Sequence, residues 1–197
     1  VINRMGFNNA GMDDMAQRLA TRARRGILGL NIGANKDSQD RIADYARAFA
    51  RLSPYADYVT INISSPNTPG LRGLQDHGQL QHLLEAVTGA RGQSKTPILL
   101  KIAPDLDDAA IEAIAEIVLS SGIEGIVLTN TTIAREHLKC AAVAKETGGL
   151  SGTPLFARST RVVGQMRKLA GKNLVLVGVG GISSGAASSA KQWWCPS

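Results

Sequence analysis

Five short apolar segments alternate along the chain with segments of helical periodicity. The apolar segments are almost continuous in Val, Ile and Leu, which is typical of strands buried on both faces of a parallel sheet. They cover residues 27–32, 57–63, 97–102, 124–129 and 174–179. Between them, apolar side chains recur every three or four residues, as on the buried face of a helix. The pattern predicts a β-α-β-α-β-α-β-α-β order, with right-handed crossovers and a parallel sheet.

Capping residues mark the ends of several predicted helices. We expect Ser38 to cap the first helix, and Asp107 or Asp108 to open the third. Gly122 is placed to end the third helix, because glycine readily adopts the left-handed conformation that closes many helices. The fourth predicted helix covers residues 156–170.

Polar residues or glycines follow every predicted strand at its carboxyl end. In a (β/α)₈ barrel such residues collect on one rim, whereas in a doubly wound sheet they gather at one switch point. The residues in question are Asn31, Gly33, Asn35 and Lys36; Asn62, Ser64, Ser65, Asn67 and Thr68; Lys101; Thr129, Asn130, Thr131 and Thr132; and Gly178, Gly180 and Gly181. This distribution favours an α/β fold of the partial (β/α)₈, or TIM, barrel type.

Two features indicate an anionic ligand at that rim. Lys101 interrupts an apolar strand, where a lysine is costly unless it meets an anion or extends to solvent from the strand end. Glycines at 148–152 and 180–181 lie before a helix and after a strand. Backbone amides at such positions bind phosphate in many barrels, although turns also use glycine freely. The segment 133–148 has little apolar periodicity and is typical of a lid loop.

Composition limits the other possibilities. A chain of 197 residues can form one sizeable core, and its net charge of +6 weakly favours anionic partners. The basic residues between 18 and 25 have no interleaved aromatics, so we expect no nucleic-acid partner. Cys140 and Cys195 are predicted to be reduced thiols, and no His or Cys pair has metal-ligand spacing. No segment resembles a membrane span or a signal peptide, and Val1 is expected to be an internal start.

Seven ordered motifs carry a resemblance to a known family. They are VINRMGFNN (1–9), GLNIGANKD (29–37), INISSPNTPGLRGLQ (61–75), LLKIAPDL (99–106), VLTNTT (127–132), ETGGLSGTPL (146–155) and VGVGGISSG (177–185). Together they closely resemble dihydroorotate dehydrogenases of the quinone-dependent class, of bacterial type. The resemblance implies a (β/α)₈ barrel that binds FMN and oxidises (S)-dihydroorotate to orotate in pyrimidine (UMP) biosynthesis. It also implies a membrane quinone as the electron acceptor.

The resemblance assigns expected roles to residues of this chain. Ser65 is similar to the catalytic base, which would need a relay, and Thr68 could orient it or a water. The class that does not use quinone carries Cys at this position, so Ser65 favours quinone. The expected substrate-binding residues are Asn3, Arg4, Met5, Gly6, Phe7, Asn62, Asn67, Asn130 and Thr131. The expected FMN-binding residues are Asn31, Asn62, Lys101, Thr129, Gly152 and Gly181.

The chain also departs from the family pattern. Its motifs correspond to the third to seventh barrel strands, and we expect the first two strands and the N-terminal quinone-binding segment to be absent. Residues 1–185 are therefore predicted to form a partial FMN-dependent barrel, and residues 186–197 an aberrant tail. An open arc of strands exposes sheet edges and apolar surface. We expect this chain alone to be marginally stable, prone to aggregation and inactive.

The sequence does not exclude two other functions. One alternative is a non-catalytic flavin-binding or inert remnant, and another is a dihydroorotate dehydrogenase that uses fumarate or NAD. For the whole protein, the resemblance implies a monomer bound peripherally to the cytoplasmic face of the inner membrane. The chain by itself is expected to be cytoplasmic and to bind no metal.

Overall fold

The computed structural model describes residues 1–136, 138 and 140–193, without the side chains of Ala141 and Trp193. Strands and helices alternate through most of this length. In chain order they are β1 (Ile2–Asn3), α1 (Met12–Thr21), β2 (Gly29–Ile32), α2 (Arg41–Leu52), β3 (Tyr58–Asn62), α3 (His77–Arg91), β4 (Ile98–Ile102), α4 (Asp108–Ser121), β5 (Gly125–Leu128), α5 (Ala141–Ala144), β6 (Gly149–Leu150), α6 (Thr153–Ala170), β7 (Val175–Gly178) and α7 (Gly185–Trp193). Among the described helices, none is long and apolar enough to cross a bilayer.

The main sheet has five parallel strands in the order β2-β3-β4-β5-β7. Each strand pairs with the next strand of the sheet along the chain, without the reversal of order that defines a doubly wound sheet. The predicted partial (β/α)₈ barrel is therefore confirmed. Within the described residues β2 and β7 are edge strands, and the side chains of Val175 and Val177 on β7 are exposed, as predicted for an open arc.

The two faces of the sheet differ in chemistry because successive side chains of a strand point to opposite sides. One face packs under the helices, where fully buried residues such as Ile61, Leu100 and Ile126 meet Phe49 and Leu83. Residues in register on the other face, here called the inner face, are Asn31, Thr60, Asn62, Leu99, Lys101, Val127, Val175 and Val177. Polar groups thus concentrate on the inner face, toward the carboxyl ends of the strands.

The observed helix ends agree in part with the ends predicted from the sequence. Asp107 caps α4 by accepting a hydrogen bond from the amide of Ala110 (2.8 Å), and Gly122 ends that helix in the left-handed conformation. The prediction that Ser38 caps α2 is wrong. Asp40 is the cap and accepts from the amide of Ala43 (2.9 Å), while Ser38 accepts from the amide of Asp40. Helix α6 begins at Thr153, three residues before the predicted start.

A second, two-stranded sheet was not predicted. β1 pairs antiparallel with β6, so that Ile2 lies opposite Leu150 and Asn3 opposite Gly149. The loop before β6 is closed on itself by Arg135, whose Nη2 donates to the carbonyl oxygens of Glu146 (3.1 Å) and Gly148 (2.6 Å). That residues 133–148 form a lid stays a prediction, and two of its residues, 137 and 139, lie outside the described part.

The C-terminal segment forms a helix across the predicted boundary at residue 185. Helix α7 begins at Gly185 and continues to Trp193, whereas residues 194–197 lie outside the described part of the chain. Its Lys191 side chain is buried against β7 and α6, at 4% exposure. The assignment of residues 186–197 as an aberrant tail stays a prediction.

Candidate active site

An amide cluster lies where β3 and β5 end. The Oδ1 atom of Asn62 accepts from the amide (3.3 Å) and the hydroxyl (3.1 Å) of Ser64, and from Nδ2 of Asn130 (3.2 Å). The same Nδ2 of Asn130 donates to the Ser64 hydroxyl at 3.1 Å. No acceptor is recorded for Nδ2 of Asn62 among the described residues, and Asn62 is only 6% exposed. Its amide hydrogens therefore remain available to a ligand on the inner face.

Ser65 follows this cluster and is almost buried, at 7% exposure. Its Oγ accepts a hydrogen bond from the backbone amide of Asn67 at 3.3 Å. Within the described residues no hydrogen bond joins Ser65 to Thr68, so the expected help from Thr68 is not present as a direct contact. The Ser65 hydroxyl is thus positioned by backbone geometry, and its own hydrogen is free to bond a ligand or a water.

Asn67 attaches the N-terminal segment to this rim. Its Nδ2 donates to Oδ1 (3.2 Å) and the carbonyl oxygen (3.2 Å) of Asn3, and to the carbonyl oxygen of Met5 (2.8 Å). The ring of Phe7 lies over Gly33, where an added Cβ would be 2.5 Å from the ring. The expected wall of residues 3–7 is therefore attached to the rim through Asn67, two residues after Ser65.

The side chains of this wall do not all face the cluster. Arg4 forms an ion pair with Glu146 (2.7 Å), and its side chain is 61% exposed. Met5 is exposed as well, and Gly6 has no atom near the position of an added Cβ. The structure thus brings the backbone of this segment to the rim, but the Arg4 side chain binds Glu146 and the carbonyl oxygen of Thr147 (3.1 Å).

Thr131 completes the rim on the β5 side. Its amide donates to Oδ1 of Asn130 (2.7 Å), and its hydroxyl contacts the backbone of Gly149 so closely that a Cβ there would lie 2.0 Å from Oγ1. Thr129 is 1% exposed and donates its hydroxyl to the carbonyl oxygen of Asn130 (2.9 Å). The hydroxyl of Thr129 therefore stabilises the backbone of the loop after β5.

Lys101 lies beside Asn62 in the register of the inner face, and Asn31 lies beside Thr60 one row below. Burial lowers the pKa of the Lys101 ammonium, because the charged form is poorly solvated there. No hydrogen bond or ion pair is recorded for this ammonium within the part of the chain that the structure describes. A half-buried cation without a partner indicates an electron-rich ligand on the inner face.

The two glycine patches meet at the start of α6. An added Cβ on Gly181, whose φ is +72°, would lie 2.9 Å from the carbonyl oxygen of Gly152 and 2.8 Å from the amide nitrogen of Phe156. Backbone amides beside a helix N-terminus form a concave site for anions. The position that a Cβ would fill is open only because residue 181 is glycine, and the cluster fits a phosphate group.

Sequence reasoning missed the network that holds these loops together. Arg72 donates through Nε to the carbonyl oxygen of Ser64 (3.1 Å), through Nη2 to that of Thr131 (3.0 Å) and through Nη1 to Asp105 (2.9 Å). Asp105 also accepts from the amide of Ile133 (3.1 Å) and from the hydroxyl of Thr132. The loops after β3, β4 and β5 are therefore joined by one charged pair. The only sequence signal was the location of both residues in motifs just after strands.

A buried tyrosine supports the amide cluster from the helix side. The hydroxyl of Tyr45 on α2 donates to the carbonyl oxygen of Asn62 at 2.7 Å, and its side chain is fully buried. Burial raises the pKa of this phenol, so that it stays neutral and keeps its hydrogen for the bond. The end of β3 is thus held by backbone pairing and by a side chain of the outer layer.

Comparison with known proteins gives matches to one family. The family model described as "Dihydroorotate dehydrogenase" matches residues 1–190. A dihydroorotate dehydrogenase (quinone) of Parvibaculum lavamentivorans is 55% identical over 192 residues, which are 97% of this chain and 55% of the relative. A protein of the same name from Mesorhizobium japonicum is 55% identical over 93% of this chain and 52% of the relative. The chain spans about half the length of these relatives.

Solved structures give the same result for the fold. The crystal structure of a DHODH from Eimeria tenella in complex with ferulenol superposes with a TM-score of 0.89 at 35% sequence identity. The superposition covers 96% of this chain and 58% of that one. Both the sequence match and the fold match extend over nearly the whole chain and include the rim that carries Ser65. The chain therefore belongs to the dihydroorotate dehydrogenase family.

Proposed function

We propose that this protein serves the FMN-dependent oxidation of (S)-dihydroorotate to orotate, with quinone as the electron acceptor, in pyrimidine biosynthesis. The observation that carries the proposal is the position of Ser65. In a chain of this family, Ser65 follows the carboxyl end of β3, and its Oγ accepts from the backbone amide of Asn67. It comes directly after Ser64, whose hydroxyl accepts from Nδ2 of Asn130. A serine hydroxyl in this position can take a proton from a bound dihydropyrimidine ring and pass it to water.

The amide cluster suits a pyrimidine ligand. A pyrimidine ring presents amide N–H and carbonyl edges, and asparagine side chains can both donate and accept hydrogen bonds. The amide hydrogens of Asn62 have no acceptor among the described residues, whereas the Nδ2 atoms of Asn67 and Asn130 are used within the protein. In the proposed site Asn62 therefore donates to the ligand, and Asn67 and Asn130 act mainly by holding the rim in shape.

The expected FMN-binding residues have positions that suit the cofactor. Lys101, Asn31 and Asn62 lie on the inner face, and the glycines at 152 and 181 lie together at the start of α6. When bound, FMN supplies the two-electron acceptor for the hydride that leaves the substrate. The Lys101 ammonium would then stabilise negative charge on the ring system next to it. The hydroxyl of Thr129, directed to the backbone, shapes the site without donating to the cofactor.

Replacing Lys101 by methionine should separate binding from stability. We expect the FMN dissociation constant to rise by about tenfold, the effect of losing one modest polar contact. The free energy of unfolding without FMN should stay the same or increase, because a poorly solvated cation is removed. Flavin titration and chemical denaturation measure the two quantities. Lys95→Met, at an exposed position before β4, is the matched control, and equal FMN binding by both variants would contradict the assigned role.

Quinone is proposed as the acceptor on two grounds. The relatives from Parvibaculum and Mesorhizobium are named as quinone-dependent, and Ser65 occupies the position of the base where the other class carries Cys. Quinones are dissolved in the membrane, so the whole protein must reach a lipid surface. We propose that it is a monomer bound peripherally to the cytoplasmic face of the inner membrane.

The first test is a titration of the purified 197-residue chain with FMN, followed by the quenching of flavin fluorescence. The proposal predicts saturable binding with a dissociation constant of about 1 μM, a typical value for a specific small-ligand site. Anaerobic addition of dihydroorotate then asks whether the bound flavin is reduced. Binding followed by reduction supports the full function. Binding without reduction supports the expectation that this chain alone is inactive, and no binding contradicts a flavin site in this chain.

A further inference from the structure

Lys191 has an environment that the proposed reaction does not explain. Its ammonium donates to Oγ of Ser159 (2.6 Å) and to the carbonyl oxygens of Val179 (3.0 Å) and Gly180 (3.1 Å), and it lies 5.4 Å from the ring centre of Phe156. Its stem packs against Gly178, where an added Cβ would lie 3.1 Å from Cδ. All three ammonium hydrogens are thus used, and every acceptor is neutral.

The carbonyl oxygens of Val179 and Gly180 belong to the same peptide groups as the N–H groups of Gly180 and Gly181, here called the glycine pair. The carbonyl of Val179 shares a planar peptide with the N–H of Gly180, and the carbonyl of Gly180 shares one with the N–H of Gly181. In a trans peptide these groups point in opposite directions. The Val179 carbonyl also accepts from the backbone amide of Thr129 (3.2 Å). By binding both carbonyls, Lys191 helps to hold both N–H groups on the side away from its ammonium.

These two N–H groups have no recorded acceptor within the described part of the chain. They lie next to the first turn of α6, because the Cβ position of Gly181 falls 2.8 Å from the amide nitrogen of Phe156. Ser159 strengthens the link, since its hydroxyl contacts the carbonyl oxygens of both Phe156 and Gly180. Two adjacent amides with free hydrogens, held beside a helix N-terminus, form a nest for an anion.

The electrostatics of this nest are positive and uncompensated. Lys191 is the only charged residue of α7, and β7 has none. Helix α6 has no acidic residue, and the carboxylates of Glu136 and Asp108 pair with its Arg158 and Arg161. No acidic side chain of the described residues is bonded to Lys191. A buried cation whose acceptors are all neutral is costly unless an anion binds nearby.

We propose that Lys191 is a positioning residue for the phosphate group of the cofactor: it orients the amides of Gly180 and Gly181 and supplies a positive charge behind them. The inference rests on the proposed FMN function. It assigns a task to a residue of the segment that the sequence suggested was an aberrant tail. Lys191 acts through the peptides and does not touch the phosphate itself.

The test compares FMN with riboflavin, which has the same ring system but no phosphate. Lys191→Met should raise the FMN dissociation constant by about tenfold or more and leave that of riboflavin within about twofold of the unmodified chain. Lys168→Met, at an exposed position near the end of α6, should change neither. An equal loss of affinity for FMN and riboflavin would show a merely structural role, and no loss for either would show that Lys191 is not needed. Both results overturn the inference.

A second measurement follows the charge of Lys191 directly. Burial lowers the pKa of its ammonium to about 8. In lysine labelled with ¹³C at Cε, the Lys191 signal is identified by its loss in Lys191→Met. A saturating concentration of inorganic phosphate should raise the pKa of Lys191 by about one unit, because a nearby anion favours the charged form. An unchanged pKa would overturn the inference.

The two arms keep this inference distinct from the proposed function. If the unmodified chain binds neither flavin, the FMN proposal fails, and the phosphate experiment alone decides the role of Lys191.

The pH dependence of the free energy of unfolding also reports on Lys191. The pKa of Lys191 in the folded state lies below the value of about 10.4 for an unfolded lysine. Between these two values the Lys191 side chain binds more protons in the unfolded chain, so it makes the free energy of unfolding rise with pH there. Lys101, whose pKa is also lowered, contributes to the same rise, so Lys191→Met should make the rise smaller than in the unmodified chain.

Discussion

Replacing Ser65 by alanine should slow the reduction of bound FMN by dihydroorotate by about 10²–10⁴-fold, the usual contribution of a positioned general base. FMN binding should stay unchanged, because the hydroxyl makes one recorded hydrogen bond in the described structure, from the amide of Asn67. Alanine is compatible with the same backbone, so the rim should keep its shape. The effect is therefore expected in the rate of the chemical step and not in cofactor affinity.

The rate is measured by mixing the FMN-loaded protein anaerobically with dihydroorotate and following the loss of oxidised-flavin absorbance. Should the 197-residue chain show no turnover, a chimera serves, in which residues 1–185 replace the matching part of the Parvibaculum lavamentivorans relative. Ser120→Ala, at an exposed position on α4, is the matched control. Ser65→Cys should keep more activity than Ser65→Ala. A Ser65→Ala rate within about threefold of the unmodified protein would mean that another group is the base.

Replacing Arg72 by alanine should lower the free energy of unfolding by about 3 kcal/mol, the typical cost of removing one partner from a largely buried ion pair. Arg72 and Asp105 are 22% and 14% exposed, and the arginine also binds the carbonyl oxygens of Ser64 and Thr131. The change removes all three contacts, so the loops after β3 and β5 lose their common support. The affinity for orotate should fall with the stability, because Ser65 and Asn130 lie in those loops.

Urea denaturation followed by circular dichroism gives the free energy, and the perturbation of the flavin spectrum gives orotate binding. Arg51→Ala removes an ion pair with Asp13 whose side chains are 46% and 72% exposed, and it should cost about 0–1 kcal/mol. Arg72→Lys should restore only part of the loss, because a lysine ammonium cannot form the planar fork that reaches three acceptors at once. If Arg72→Ala were no less stable than Arg51→Ala, the network would not hold the rim together.

Much of the rim could be predicted because strand ends and loops are local features. The apolar segments were long enough to reveal β2, β3, β4, β5 and β7, and in a parallel barrel their order alone brings the residues that follow them to one rim. Asn62, Ser65 and Asn130 were therefore found together as expected. The prediction of the α2 cap was wrong because residue type alone does not choose between two nearby candidates. Ser38 and Asp40 are both good caps, and only the backbone conformation selects Asp40.

Pairings between distant segments had no comparable signal. The β1–β6 pair joins two strands of two residues each, which are too short to show any periodicity. The side chain of Asn67 was expected at the substrate, but its amide hydrogens are directed to Asn3 and Met5. The direction of a side chain depends on which acceptors the fold places around it, and residue type does not report this.

By itself the sequence determined the layered α/β architecture, the family and the residue types available at the rim, because periodicity, glycine positions and motifs are properties of neighbouring residues. Only the tertiary structure decided which polar groups are used internally and which remain free. It pairs Arg72 with Asp105 across three loops and buries Lys191 behind the glycine pair. Such contacts join residues that are far apart in the chain, and their energies depend on burial and distance, which exist only once the chain has folded.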